Sequence, residues 1–375
     1  MGTEDKDHYS TVGANYANLD PFKVRCQAAG AETIHALDRL GLRGVSDSIG
    51  ESCSLIESGE VYLGPVMEGL GTKNLVAQAM QDLTGEAHWW YGIGQDALAM
   101  ILNDVICSGA RPATVLMYAA VGNDTWFEPD TKLKLQRMEA LIAGWRDGCI
   151  KCECAWIGGE TPCLKGVIVD GAIDLAGSGV GIIRPKSDKL SGSKIGVGDG
   201  IVLVRSFGIM SNGISGARDV ATKLPQGYLT RCGRSTFGAE ILTPTLLYAP
   251  LVEALLDNQV GLVYATHISG HGWKKLMRAD VPLEYVIDRI PTPDPIFRMI
   301  QQVQGLSNEE MYRTYNMGAG FGLIVKRSGI MQTIHLAHEL GFEAWFAGDV
   351  IDSMDESKRV HIKPLDITYE DLGVR

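Results

Sequence analysis

The chain has 375 residues, 45% of them hydrophobic and 21% charged, a balance that predicts a globular protein with room for two domains. Its 34 basic and 45 acidic side chains leave a net charge of −11, which repels polyphosphate over most of the surface and argues against nucleic acid as a partner. No apolar run approaches the roughly 20 residues of a bilayer span, and the opening Met1-Gly-Thr-Glu-Asp-Lys-Asp-His8 lacks the apolar core of a signal peptide, so a cytoplasmic protein with no membrane partner is expected. Eight cysteines spread over this length predict free thiols.

In chain order, a helix is expected over 21–40, then a Gly/Ser-rich stretch to about residue 60. An apolar strand over 61–67 runs into Glu68-Gly69-Leu70-Gly71-Thr72-Lys73 and a helix over 74–83. A second helix, 95–108, stops at Gly109-Ala110-Arg111-Pro112. Strand 113–121, helix 130–148 and strand 154–157 follow, the last ending in Gly158-Gly159-Glu160-Thr161, and strand 175–183 closes this half. Arg184-Pro185-Lys186-Ser187 reads as the linker, dividing the chain into 1–185 and 186–375. The second half opens with strand 200–204 and a Gly-rich turn into a helix. Helix 244–256, strand 262–266, the turn Ser269-Gly270-His271-Gly272, strand 285–290, helix 294–303, strand 321–326, helix 330–340 and strand 344–346 complete it. Strands and helices mingle without a regular βαβ repeat, which predicts an α+β class.

Several residues in this frame have the chemistry of a site. Gly69, Gly71 and Thr72 let the backbone approach a phosphate at a helix N-terminus, and Lys73 adds a point charge. The spacing is not that of a P-loop, and a tight turn with a surface lysine is the plainer alternative. Along helix 95–108, Asp96 and Asn103 lie nearly eclipsed two turns apart, with Asp104 beside them. Carboxylates on a mostly apolar helix need donors or a cation, unless that edge is solvated. With Glu68 and Glu160, Asp104 supplies the oxygen ligands that Mg²⁺ prefers. Asn212, in Ser211-Asn212-Gly213, lies in the turn after a strand. His267, ahead of its Gly-rich turn, could meet an anion or move a proton, although a single histidine is commonly structural. Cys149, Cys152 and Cys154 make half of a zinc pattern with no second pair and read as buried thiols; His335 and His338 read as a solvated helix face.

The motifs also fall in a recognisable order. Glu-Gly-Leu-Gly-Thr-Lys at 68–73 is followed by Gly-Gln-Asp-Ala-Leu-Ala-Met-Ile-Leu-Asn-Asp at 94–104 and Ser-Gly-Ala-Arg-Pro at 108–112. Then come Gly-Gly-Glu-Thr at 158–161, Asp-Leu-Ala-Gly-Ser-Gly-Val-Gly at 174–181, Ser-Asn-Gly at 211–213, Thr-Pro-Thr at 243–245 and His-Ile-Ser-Gly at 267–270. Met-Tyr-Arg-Thr-Tyr-Asn-Met-Gly at 311–318 is the most specific piece. Over about residues 60 to 350 the chain resembles the aminoimidazole ribonucleotide synthetase family, also called phosphoribosylformylglycinamidine cyclo-ligase.

The resemblance implies an N-terminal domain whose sheet joins a partner's in a homodimer, with ATP and Mg²⁺ in a cleft near that interface. It implies closure of formylglycinamidine ribonucleotide to aminoimidazole ribonucleotide in purine biosynthesis: ATP phosphorylates the formyl oxygen, and the amidine nitrogen closes the ring. By the same match, Glu68, Asp104 and Glu160 are expected metal ligands, and Lys73, Asn212 and His267 catalytic residues. Gly69, Gly71, Thr72, Lys73, Asp96, Asn103, Gly159 and Thr161 are expected to bind the nucleotide. Three departures stand out: Glu68 where the family has Asp, Met210 where it commonly has His, and a stretch 41–59 richer in Ser and acids than the family's Gly-rich segment. They keep open a nucleotide-binding dimer without catalysis, or a sibling activity such as that of selenophosphate synthetase or thiamine-phosphate kinase.

Overall fold

The structure is a computed structural model and describes residues 16–370; the polar opening 1–8 lies outside the described residues. Instead of one helix over 21–40, the chain forms α1 (Tyr16–Thr33) and a 3-10 segment (Ile34–Leu40), which Gly41 ends at φ 70. Both are largely exposed, Phe22 to 70%.

The first sheet forms from β1 (Arg43–Gly44), β2 (Ile56–Ser58), β3 (Val61–Gly69), β4 (Arg111–Val121), β5 (Ala155–Glu160) and β6 (Ile173–Ile183), in the order β1-β2-β3-β6-β4-β5. Only β4 and β5 run parallel. Three helices cover one face: α2 (Lys73–Thr84), α3 (Trp89–Ile106) and α4 (Lys132–Lys151). Helix α3 is apolar nearly all round because it is buried nearly all round. Glycine decides how closely it can pack. Along β6 the alternate residues Gly177, Gly179 and Gly181 turn toward α3, and a Cβ at these positions would press on Ile101 or Val105. Gly94 and Gly144 do the same for the crossing of α3 and α4, where a Cβ on Gly144 would overlap the Tyr91 carbonyl. Gly144→Ala is therefore expected to destabilise the protein by about 3 kcal/mol, read as a shifted midpoint in urea unfolding.

The second sheet takes β7 (Gly200–Arg205), β10 (Leu262–His267), β11 (Leu283–Ile287), β12 (Ala319–Val325), β13 (Ala344–Asp352), β14 (Arg359–Ile362) and β15 (Ile367–Tyr369), ordered β10-β12-β7-β13-β11-β14-β15. The short pair β8 (Arg231–Cys232) and β9 (Ser235–Thr236) stands apart. Its helices are α5 (Ile214–Lys223), α6 (Phe237–Ile241), α7 (Ala249–Asp257), α8 (Pro295–Gln304), α9 (Asn308–Thr314) and α10 (Ile330–Glu339). A capping box of Ser307 and Glu310 starts α9, which carries Met311 to Thr314 of the most specific motif. The two mixed sheets with mingled helices are an α+β fold, as expected.

One expected helix is shorter than its pattern. Residues 244–248 stay outside α7 because side chains of α3 take their backbone groups. Asn103 Oδ1 accepts from Tyr248 N (3.1 Å) and its amide donates to Leu246 O (2.9 Å), while Gln95 donates to Thr245 O (2.8 Å). The cysteines of the described residues are free, and Cys149, Cys152 and Cys154 are buried. Among the described residues no helix is long and apolar enough to cross a membrane.

Candidate active site

Strand β10 ends on His267, and α3 brings Asp104 to it: His267 Nδ1 lies 3.0 Å from Asp104 Oδ1, both residues buried. The other ring nitrogen, Nε2, is buried without a hydrogen-bond partner. Glu68, near the end of β3, faces the same place. Burial, then the charge of Asp104, push its carboxyl up to about 7, against the pull of Lys275 and Arg278. Burial pushes Asp104 up as well, but the hydrogen bond from His267 and the charges of Lys275, His267 and Arg278 outweigh it and hold Asp104 below the usual range. Buried Lys275 donates to Ser269 Oγ at 2.8 Å, and Arg278 donates to Gly50 O at 3.0 Å, which ties the loop before β2 to the second half. Lys275 and Arg278 were not anticipated. Their one sequence signal is the basic run that follows the Gly-rich turn.

Two neighbouring carboxylates, one of them driven toward its neutral form by burial and then by the charge of the other, suit a divalent cation, which would relieve the repulsion. Mg²⁺ commonly takes one or two protein carboxylates and fills its shell with water and phosphate oxygens. Glu68 and Asp104 fit that role. A raised carboxyl binds a cation only after losing its proton. Affinity for Mg²⁺ should therefore fall about tenfold per pH unit below about 7 and level off above it, a slope that Glu68→Gln removes in calorimetric titration. The sign for folding is opposite. Without cation, the stability linked to Glu68 is full below its ordinary 4.5 and is lost as pH rises through about 7.

Glu160 does not join them within one chain, which corrects the expected three-carboxylate centre. Glu68 pairs with Gly177 of β6, Gly177 with Met117 of β4, and Met117 with Gly159 of β5. Three strand spacings, about 14 Å, therefore separate the two ends. The pleat also turns Glu160 to the opposite face, where with Gly159, Met67 and Ser178 it lines a hollow of about 530 Å³. Thr161 follows it, exposed. Among the described residues no three His, Cys, Asp or Glu side chains are grouped to hold a metal ion.

Lys73 and Asp96 form a second buried centre rather than a nucleotide contact. Lys73 Nζ lies 2.7 Å from Asp96 Oδ2 and donates to Thr243 O at 2.9 Å. Asp96 Oδ1 accepts from Thr245 N (2.7 Å) and Thr245 Oγ1 (2.6 Å). Burial pushes the lysine down and the carboxyl up, against the opposing pull of their mutual charge and of the Thr245 donors on Asp96. The eclipsed pair Asp96 and Asn103 thus grips the segment 243–248. Asn212 sits in the turn ahead of α5 with its amide nitrogen unpartnered, and makes no hydrogen bond to His267, Asp104 or Lys73. Met210 is buried at φ 57, so no imidazole stands there.

Gly71, at φ 75, and Thr72 do face open space. They line a hollow of about 840 Å³ with the start of α2, residues 168–174, Trp126 and Arg137, and Arg218 of α5. Gly69 is paired in the sheet with Ala176. Since residues 68 and 71 are three peptides apart, no more than about 11 Å separates the Glu68 backbone from this hollow.

Two α+β halves, with a glycine turn feeding a helix in the first and a buried acid–imidazole pair where they meet, define a protein of the AIR synthase related class. Residues 65–183 match the model of the AIR synthase related protein N-terminal domain, and residues 196–361 that of the C-terminal domain. The chain belongs to the phosphoribosylformylglycinamidine cyclo-ligase family. It is 33% identical over 329 residues to the phosphoribosylformylglycinamidine cyclo-ligase of Methanocaldococcus jannaschii, covering 85% of this chain and 87% of the relative. With that of Carboxydothermus hydrogenoformans it shares 35% over 299 residues, 77% of this chain and 82% of the relative. Solved structures of the same fold include HypE in complex with HypF (TM-score 0.58, 14% identity, 86% of this chain and 92% of that one). Another is AaThiL complexed with AMPPCP and TMP (TM-score 0.55, 14% identity, 85% and 89%).

Proposed function

We propose that this chain is an ATP-dependent cyclo-ligase that closes formylglycinamidine ribonucleotide to aminoimidazole ribonucleotide in purine biosynthesis. The observation that carries this reading is the buried Asp104–His267 pair beside Glu68, on a chain whose relatives bear that name. ATP would phosphorylate the formyl oxygen, so that phosphate leaves when the amidine nitrogen attacks the carbon. Glu68 and Asp104 would hold Mg²⁺, which when bound neutralises triphosphate charge. Asp104 orients His267, leaving Nε2 free to take or give a proton as the ring closes. Lys275 and Arg278 place positive charge near the transferred phosphoryl group. Lys73, held by Asp96, acts as a positioning residue that fixes the segment 243–245. Of the glycine turn, Gly69, next to Glu68, is assigned to the nucleotide, while Gly71 and Thr72 line the hollow beside α2.

The outer face of the first sheet exposes Met67, Leu116 and Ile182 to 77, 42 and 37%. An apolar surface of this kind suits a subunit contact, and a homodimer through it completes the proposal. We place the enzyme in the cytoplasm and keep the division at residue 185.

Purified protein given ATP, Mg²⁺ and formylglycinamidine ribonucleotide should release phosphate and the aminoimidazole product in equal amounts. Nucleotide binding with neither product would instead favour a catalytically silent binder, the reading that the burial of Lys73 and the presence of Met210 support. Phosphoryl transfer to thiamine monophosphate or selenide alone would move the chain to a sibling activity.

A further inference from the structure

The hollow of about 840 Å³ beside α2 has features that a turn and a helix do not require. Helix α2 has 12 residues, no acidic residue in its first turn, and an N-cap, Thr72, whose side chain caps nothing. The Leu75 N–H is taken by Thr72 O and Asn74 Oδ1, and the positive dipole end of the helix meets the hollow. Across from it Arg137 is 95% buried by its 5% exposure, yet among the described residues no carboxylate pairs with it. Its guanidinium lies 4.0 Å from the Trp126 ring centroid and 5.9 Å from that of Trp90; its Nη atoms donate to Trp126 O and to Gln78 Oε1, and Nε has no partner. Burial lowers the Arg137 pKa against the pull of the Asp82 and Asp130 charges, neither of which forms an ion pair with it. Arg218, delivered from the other half by α5, lines the same hollow beside Tyr228. Lys134 is the third cation, already paired with Asp130 at 3.0 Å. Asp82, Asp170 and Asp174 also line the hollow; Asp82 is occupied by the Gln78 amide at 2.8 Å.

We propose that this hollow seats the ribose 5-phosphate end of the substrate, its phosphate held by the N-terminus of α2, Arg137 and Arg218. This rests on the cyclo-ligase reading for the identity of the substrate. The hollow and the Glu68–Asp104 centre lie within reach of one ribotide. The phosphoryl group that reacts belongs beside Glu68 and Asp104, and the chain allows about 11 Å from there to the hollow. A span within that limit suits a ribotide, which carries its formyl group and its 5′-phosphate at opposite ends. The three phosphates of ATP are contiguous. Because Arg137 comes from the first half and Arg218 from the second, the phosphate would also tie the two halves together.

The test uses the full chain in calorimetric titrations with ribose 5-phosphate and, separately, with Mg·ATP. Arg218→Gln should weaken ribose 5-phosphate by roughly tenfold or more, the worth of one charge-assisted hydrogen bond, and leave Mg·ATP within about twofold. Arg137→Gln should do the same, provided its melting temperature shows it folded; Arg218, half-buried on α5, keeps the test valid if it does not. In turnover, KM for the ribonucleotide should rise with KM for ATP unchanged. Unchanged ribose 5-phosphate binding in Arg218→Gln, or lost Mg·ATP binding with ribose 5-phosphate intact, overturns the assignment. Ring closure by the wild type with no ribose 5-phosphate binding sinks it while leaving the cyclo-ligase reading in place. Conversely, ribose 5-phosphate binding that depends on Arg218 without ring closure sinks only the latter.

Discussion

Asp104→Asn is expected to weaken Mg·ATP by roughly a hundredfold and to abolish ring closure, with the fold intact. Asp104 is buried and accepts from His267 at 3.0 Å, so it holds the imidazole in place while presenting charge to a cation shared with Glu68. Asparagine keeps the volume but removes the charge, and its amide nitrogen cannot ligate a metal. Losing one partner of a desolvated, hydrogen-bonded charge pair costs about 2–5 kcal/mol, which brackets the predicted change. Glu68 should respond too. With its negative neighbour gone, its carboxyl should move back toward 4.5 from about 7, leaving burial as the main remaining cause. Nucleotide titration together with a circular dichroism melt reads both parts. Wild-type affinity in the variant would remove Asp104 from the metal site.

The second large effect concerns folding. Asp96→Ala should destabilise the protein by about 4 kcal/mol, because it leaves the fully buried Lys73 ammonium without its counter-charge and orphans two donors of Thr245. Replacing both partners, Lys73→Met with Asp96→Leu, should restore much of that loss, since apolar side chains of similar size pack in the same space. Urea unfolding of the single and double variants gives the coupling. If Lys73 instead worked in solvent as a phosphate ligand, Asp96→Ala would cost little stability and the double variant would bring no recovery.

The two centres show how far the sequence carries. The 3.6-residue period put Asp96, Asn103 and Asp104 on one side of an apolar helix, and the need of buried polar groups for partners followed from that. It did not say which partners. Asp104 meets an imidazole 163 residues away, while Asp96 and Asn103 grip the backbone of 243–248, which is also why the helix expected from 244 begins at Ala249. Motif order was equally informative about the family, and family membership rests on the same stretches. Glu160 marks the limit of that information. A motif fixes a residue's type and its neighbours along the chain, whereas the pleat and the strand order place Glu160 on the far face from Glu68.

Arg137, Arg218 and Lys275 were missed for a related reason. Each belongs to a separate segment with no motif of its own, and each gains meaning only from what burial and packing set beside it. By itself the sequence determined what is local: periods, turns, glycine positions, the class of fold and the family. Which carboxylate meets which cation, and on which face of a sheet, was decided by tertiary structure, because those pairings depend on distances through space that chain spacing does not encode.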